Sequence, residues 1–199
     1  MRRTSRRKPP EGFSIPLPGT PSQRILGIDP GSYRTGWGLL GGSFHRPSLI
    51  DSGVIEIGAS GAFPLRLSRL QRELQDLLSR LQPTGAAVES PFHGVNARSA
   101  LQLAHARGVV LAVVAGTGIE VVEYAPAAVK KSVTGTGGAD KAQVEFMVAR
   151  TLGPAAARSC GDRADAIAVA LCHLFATGSG LRRAEAGEAG SARRRSGTR

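Results

Sequence analysis

Hydrophobic positions follow two different periods along this chain, and the switch between them outlines a fold. Residues 24–29, "RILGID", form a short apolar run closed by an acid. Two further β-like runs, "GWGLLGG" (36–42) and "LIDSGVIEIG" (49–58), follow closely, with "GGSFHRPS" supplying the turn region between their apolar parts. Three strands so near in sequence predict an antiparallel meander. The period then changes. In "PLRLSRLQRELQDLLSRL" (64–81) leucines fall at 65, 67, 70, 74, 77, 78 and 81, with Arg, Gln, Glu and Asp between them. That is the spacing of an amphipathic helix. "GAAVES" (85–90) predicts a short strand, "NARSALQLAHARGVVLAVVAG" (96–116) a long helix, and "IEVVEYAP" (119–126) another strand. "PAAVKKSV" and "ADKAQVEFMVARTL" predict helices around a glycine-rich joint at 135–138, and "DRADAIAVALCHLFA" (162–176) a last helix. The order β-β-β-α-β-α-β-α-α-α implies an α/β domain, a mixed sheet flanked by helices.

Composition adds limits to this picture. The chain has 199 residues, 41% of them hydrophobic, which suits one domain with a sizeable core. Its net charge is +11, but most of the excess lies at the ends: residues 1–23 and 178–199 each carry a net +4. Both segments are rich in Arg, Ser and Gly, so the expectation is a folded domain at 24–177 between two disordered basic tails. Basic tails suit a polyanion such as nucleic acid, although solvated disorder explains them equally well when they are taken alone. Cys160 and Cys172 belong to no C-x-x-C pair, so reduced structural thiols are expected rather than a zinc site. The N-terminus has no apolar signal region, and no apolar run reaches membrane-spanning length. A soluble, cytoplasmic protein is therefore expected.

The candidate chemistry lies in acids at element ends. Asp29 closes the first strand and is followed at once by Pro30-Gly31; Glu89 closes the fourth. If these strands are parallel neighbours, the two carboxylates stand side by side at the carboxyl edge of the sheet, where open α/β sheets bind ligands. Asp162 and Asp165 share one face at the start of the last helix. Alone, that pair reads as a helix cap, with Ser159-x-x-Asp162 or Asp162-x-x-Asp165 as a capping box. Gathered with Asp29 and Glu89, it reads as half of a metal site, because four clustered carboxylates repel unless protons or cations neutralise them. The fitting cation is hard and oxygen-seeking, as Mg²⁺ is. Two such ions can activate a water and stabilise the leaving oxygen of a phosphodiester. Glu123, at the end of another strand, reads as structural. His93, His105 and His173 show no ligand spacing and read as surface or packing residues, and Trp37 as core.

Four segments carry a family resemblance: "GIDPGSYRTGWG", "AVESPFHGVNARSALQLAHARG", "EYAPAAVKKSVTGTGGADKAQV" and "DRADAIAVALCH". Together, in this order from about Arg24 to Ala176, they resemble the RuvC family of bacterial Holliday junction resolvases. The resemblance implies an RNase H-like fold with a mixed five-stranded sheet. It implies a homodimer that resolves four-way DNA junctions in recombination and repair by paired, metal-dependent nicks in strands of like polarity. Two Mg²⁺ ions per site are implied, with Mn²⁺ able to substitute, and a RuvA–RuvB branch-migration complex as partner. By motif, Asp29, Glu89, Asp162 and Asp165 match the family's metal-site acids. Phe92 matches a loop aromatic that enters the junction, and Asn96 a polar residue of the same loop. Lys130 and Lys141 match basic residues near the scissile strand.

Each of these secondary residues has a plainer reading: Phe92 as a packing staple before the helix, Lys130 with Lys131 as a solvated helix face. Three other functions fit parts of the sequence. A YqgF-like RNase H-fold protein acting on RNA shares the "GIDxG…RxG" opening but not the paired Asp162/Asp165 helix together with "ESPFHGVNARSALQL". A nucleotide-binding fold of the actin and Hsp70 kind needs a second domain and a second phosphate loop. A non-catalytic DNA-binding module is disfavoured by four acids, which weaken phosphate binding unless metal is present.

Overall fold

The computed structural model describes residues 23–90 and 96–195, with side chains up to residue 178 apart from those of 155 and 157. Strands β1 (Arg24–Asp29), β2 (Arg34–Ser43) and β3 (Arg46–Glu56) come first. Helix α1 (Phe63–Leu81), strand β4 (Gly85–Glu89), helix α2 (Ala97–Ala115) and strand β5 (Val121–Tyr124) follow. The chain then continues in α3 (Pro126–Thr134), α4 (Lys141–Leu152), α5 (Pro154–Ala157) and α6 (Asp162–Arg195).

The five strands form one mixed sheet in the order β3-β2-β1-β4-β5. The first three form the expected antiparallel meander, and β1, β4 and β5 run parallel. Side chains alternate across the sheet with period two. Leu26, Ile28, Ala86 and Val88 pack with α1 and α2 on one face. Ile25, Ala87 and Leu40 pack with α3, α4 and α6 on the other.

Three local outcomes differ from the sequence expectation. The turn between β2 and β3 is much shorter than "GGSFHRPS", because both strands run on until only Phe44-His45 remain between them. Gly42 takes φ +92°, and Pro47 is tolerated because β3 is an edge strand. In α1 the leucine stripe is shifted. Leu65 is 69% exposed, and Arg66, 6% exposed, occupies the core side four residues before Leu70. Its guanidinium donates to the Ser32 carbonyl and lies 4.6 Å from the centre of the Tyr33 ring. Helix α6 also runs on past Ala176, where the expected last helix ended.

One contact fixes the position of the last helix. A Cβ at Gly27 would lie 2.1 Å from the Ala166 carbonyl oxygen, and one at Gly36 would lie 1.9 Å from that of Asp162. Glycine at both positions lets the backbone of α6 rest directly on β1 and β2. Small residues of α6, Ala166 and Ala170 among them, are fully buried there. Among the described residues no helix is long and apolar enough to cross a membrane.

Candidate active site

Strand register brings the first two acids together. β1 and β4 pair in parallel with Ile28 opposite Val88, so Asp29 and Glu89 are the next residues at the same carboxyl edge. The other two acids arrive from α6. Gly161, with φ +61°, ends the preceding loop and donates its N–H to Glu145 Oε1 at 2.8 Å. Its carbonyl accepts the N–H groups of Ala164 and Asp165. The helix therefore starts at Asp162, with Asp162 and Asp165 both in its first turn. Because Gly36 lets that turn press against β2, the turn lies over the strand edge that carries Asp29.

One carboxylate oxygen from each of Asp29, Asp162 and Asp165 lies within 4.8 Å of the others. Glu89 stands outside this tight group but hydrogen-bonds Asp29. Burial, and then the charges of Glu89, Asp165 and Asp162, push the Asp29 carboxyl up to about 8. Glu89 is raised by burial and by Asp165, while its hydrogen bond with Asp29 and the charges of Lys130 and Lys141 pull it back. A cleft of about 220 Å³ opens beside them, lined by Asp29, Glu89, Ser90 and Arg107 among others.

Two cations stand against the α6 acids. Lys141 is the first residue of α4, whose start is fixed by a capping box between Asp140 and Gln143. Its Nζ lies 2.7 Å from Asp165 Oδ2, and this hydrogen bond raises the Lys141 ammonium. Arg34 Nε lies 3.5 Å from Asp162 Oδ2. The sequence reading missed Arg34, since an arginine after a turn carries no signal until the helix that faces it is in place. It missed Arg107 for the same reason. That side chain lines the cleft and pairs with Glu123, so Glu123 does have a structural partner.

The remaining candidates fall in different places. Lys130, on α3, is close enough to Glu89 to lower its carboxyl. Asn96 is the N-cap of α2, and its Oδ1 accepts the N–H groups of Arg98 and Ser99. Phe92 lies in 91–95, outside the described residues, as does His93. His105 Nδ1 meets the Leu101 carbonyl, and His173 bonds the Tyr124 hydroxyl at 3.0 Å. Trp37 is buried, Cys172 is buried, and Cys160 is exposed.

This donor set is all hard carboxylate oxygen, which fits Mg²⁺ or Mn²⁺ rather than a soft metal. The raised Asp29 carboxyl adds a second sign of fit. Burial first, and then the crowded charge of Glu89, Asp165 and Asp162, disfavour its ionised form, and a divalent cation would offset both in place of a proton.

Comparison with known proteins covers nearly the whole described domain. The profile of the family described as "Crossover junction endodeoxyribonuclease RuvC" matches residues 25–173. The enzyme of that name from Chloroflexus aggregans is 45% identical over 152 residues, 76% of this chain and 93% of its own. The solved structure of T. thermophilus RuvC in complex with Holliday junction substrate superposes with a TM-score of 0.73 at 31% identity, over 79% of this chain and 96% of that one. The yeast mitochondrial Holliday junction resolvase Ydc2 shares the fold, with a TM-score of 0.60 at 12% identity, over 78% of this chain and 80% of its own.

Proposed function

The chain belongs to the RuvC family of crossover junction endodeoxyribonucleases, and from that premise we propose how its own residues cut DNA. It is a metal-dependent nuclease with an RNase H-like fold that resolves Holliday junctions in recombination and repair. Asp29, Glu89, Asp162 and Asp165 are its metal-site acids, and Mg²⁺ is the working ion, two per site, with Mn²⁺ able to replace it. The observation that carries this reading is the gathering of three aspartate oxygens within 4.8 Å beside Glu89. When bound, such ions supply an activated water and charge stabilisation for the leaving oxygen.

The protein's part is placement. Strand register sets Asp29 and Glu89 side by side, and the bare glycine surface of β1 and β2 sets the α6 pair over them. Lys141 and Lys130 border the acids and counter the phosphate's charge. Phe92, three residues after Glu89, is the aromatic that stacks on a base unpaired at the crossover, and Asn96 borders the same loop.

Resolution needs two nicks in strands of like polarity, and a two-fold dimer presents two equal sites. Helix α2 supports a homodimer. It buries only Ala106, Val110 and Val114 fully, while Leu101 is 62% exposed. The RuvA–RuvB complex is the proposed upstream partner, in the bacterial cytoplasm.

The test is to incubate the protein with a four-way junction, a linear duplex and an RNA–DNA hybrid, in Mg²⁺ and in EDTA. Paired symmetric nicks confined to the junction and to Mg²⁺ are expected. Preferential cutting of the hybrid would favour the RNA-acting reading instead.

A further inference from the structure

Arg34 opens β2, and the antiparallel register sets it opposite Glu56 at the end of β3. Its guanidinium reaches two carboxylates. Nη2 lies 3.3 Å from Glu56 Oε1, and Nε lies 3.5 Å from Asp162 Oδ2. The backbone behind it is firmly held. The Tyr33 carbonyl accepts the N–H groups of Ile57 and Gly58 at 3.0 and 3.2 Å, and the Ser32 carbonyl accepts from buried Arg66. In front, the Arg34 side chain is 54% exposed, at the edge of the sheet where the acids gather. Lys141 repeats the arrangement on Asp165. Each α6 acid therefore carries a basic side chain as its counter-ion, on a carboxylate that belongs to the clustered acids. A cation bound to these acids also repels both basic groups.

We propose that Arg34 is a phosphate-contacting residue of the cleavage reaction. It rests on Asp162 and Glu56 in the ion-free protein and passes to the DNA backbone when a divalent cation takes Asp162. A planar guanidinium suits the paired oxygens of a phosphate. The proposal rests on the metal-site reading above. It also makes ion binding and DNA binding cooperative, because the ion-free protein withholds one basic contact that the ion-loaded protein presents.

The experiment uses the full chain with R34A, R34K and D162N. Mn²⁺ binding is measured by calorimetry without DNA. Junction binding is measured by anisotropy against salt, in EDTA and in Ca²⁺, with nicking followed in parallel. An exposed ion pair competes weakly, so R34A should bind Mn²⁺ about two- to fivefold more tightly than the wild type. In EDTA the salt slopes of R34A and wild type should coincide. In Ca²⁺ the R34A slope should be shallower by about 0.9, the value of one phosphate contact, and R34K should restore it. A wild-type slope for R34A in Ca²⁺ overturns the proposal, whatever its Mn²⁺ affinity. The metal site itself is judged separately, by whether D162N loses Mn²⁺ binding.

Discussion

Asp29 is the residue on which the site's chemistry and the protein's stability meet. Its carboxyl is raised from 3.8 to about 8, chiefly by burial and then by its acidic neighbours. Between those values the folded protein keeps a proton that the unfolded chain has lost. The metal-free protein should therefore lose stability as pH rises from about 4 to about 8. Asp29→Asn removes that charge and keeps the shape. In EDTA its melting temperature should fall less between pH 5 and pH 8 than that of the wild type, as scanning calorimetry would read. The same variant should bind a junction yet fail to nick it, because the proposed metal site loses one of its ligands. Nicking at the wild-type rate would remove Asp29 from the metal site. Residue type and position at a strand end made Asp29 legible in the sequence. The size of its shift was not, since that depends on burial in the folded chain and on three neighbours drawn from two other elements.

At the scale of elements, the decisive contact is α6 against β2. A methyl group on Gly36 would meet the Asp162 carbonyl at 1.9 Å, with backbone rather than a movable side chain as the obstacle. Gly36→Ala should push the first turn of α6 away from Asp29. A misplacement of about 1 Å at the reacting groups costs on the order of 100-fold in rate. Single-turnover nicking should fall by about that factor, and Mn²⁺ affinity should fall with it, while circular dichroism still shows the helices. Full activity in the folded variant would show that α6 has slack at this point. Helix α1 teaches a related lesson. Its leucine spacing predicts the helix correctly, but periodicity alone does not distinguish Leu65 from Arg66 as the inward residue. The loop between β1 and β2 decides that, by offering Arg66 an aromatic ring and a carbonyl.

For the whole molecule, the question is how two sites reach one junction. The exposed apolar surface of α2 is the proposed dimer seam, and Leu101 is its most exposed large apolar side chain. Leu101→Asp should yield a monomer by light scattering, and the two cuts on one junction should lose their pairing. A dimer with normal paired cutting would move the seam elsewhere. The basic ends act at the same scale. Segments 1–23 and 178–199 each carry a net +4, so they should add affinity without sequence preference through counterion release. A chain lacking residues 1–22 and 178–199 should still cut junctions specifically, with a flatter dependence of binding on salt. Loss of cutting at low salt would place a tail inside the active machinery.

The sequence by itself determined the number, kind and order of the main elements, because the periods 2 and 3.6 are local properties of the chain. It also marked Asp29, Glu89, Asp162 and Asp165, because acids at the ends of apolar runs stand out against their neighbours. It did not show the short β2–β3 turn or the four-residue helix α5, where turn-forming residues were carried into regular structure by pairing and packing. The tertiary structure alone decided that β1, β4 and β5 are parallel neighbours, which face of α1 turns inward, and which cation stands on which acid. Those outcomes rest on contacts between segments far apart in the chain, such as Gly36 with Asp162 and Arg34 with Glu56. A contact of that kind leaves no period in the sequence, since neither partner's neighbours need to change for it to form.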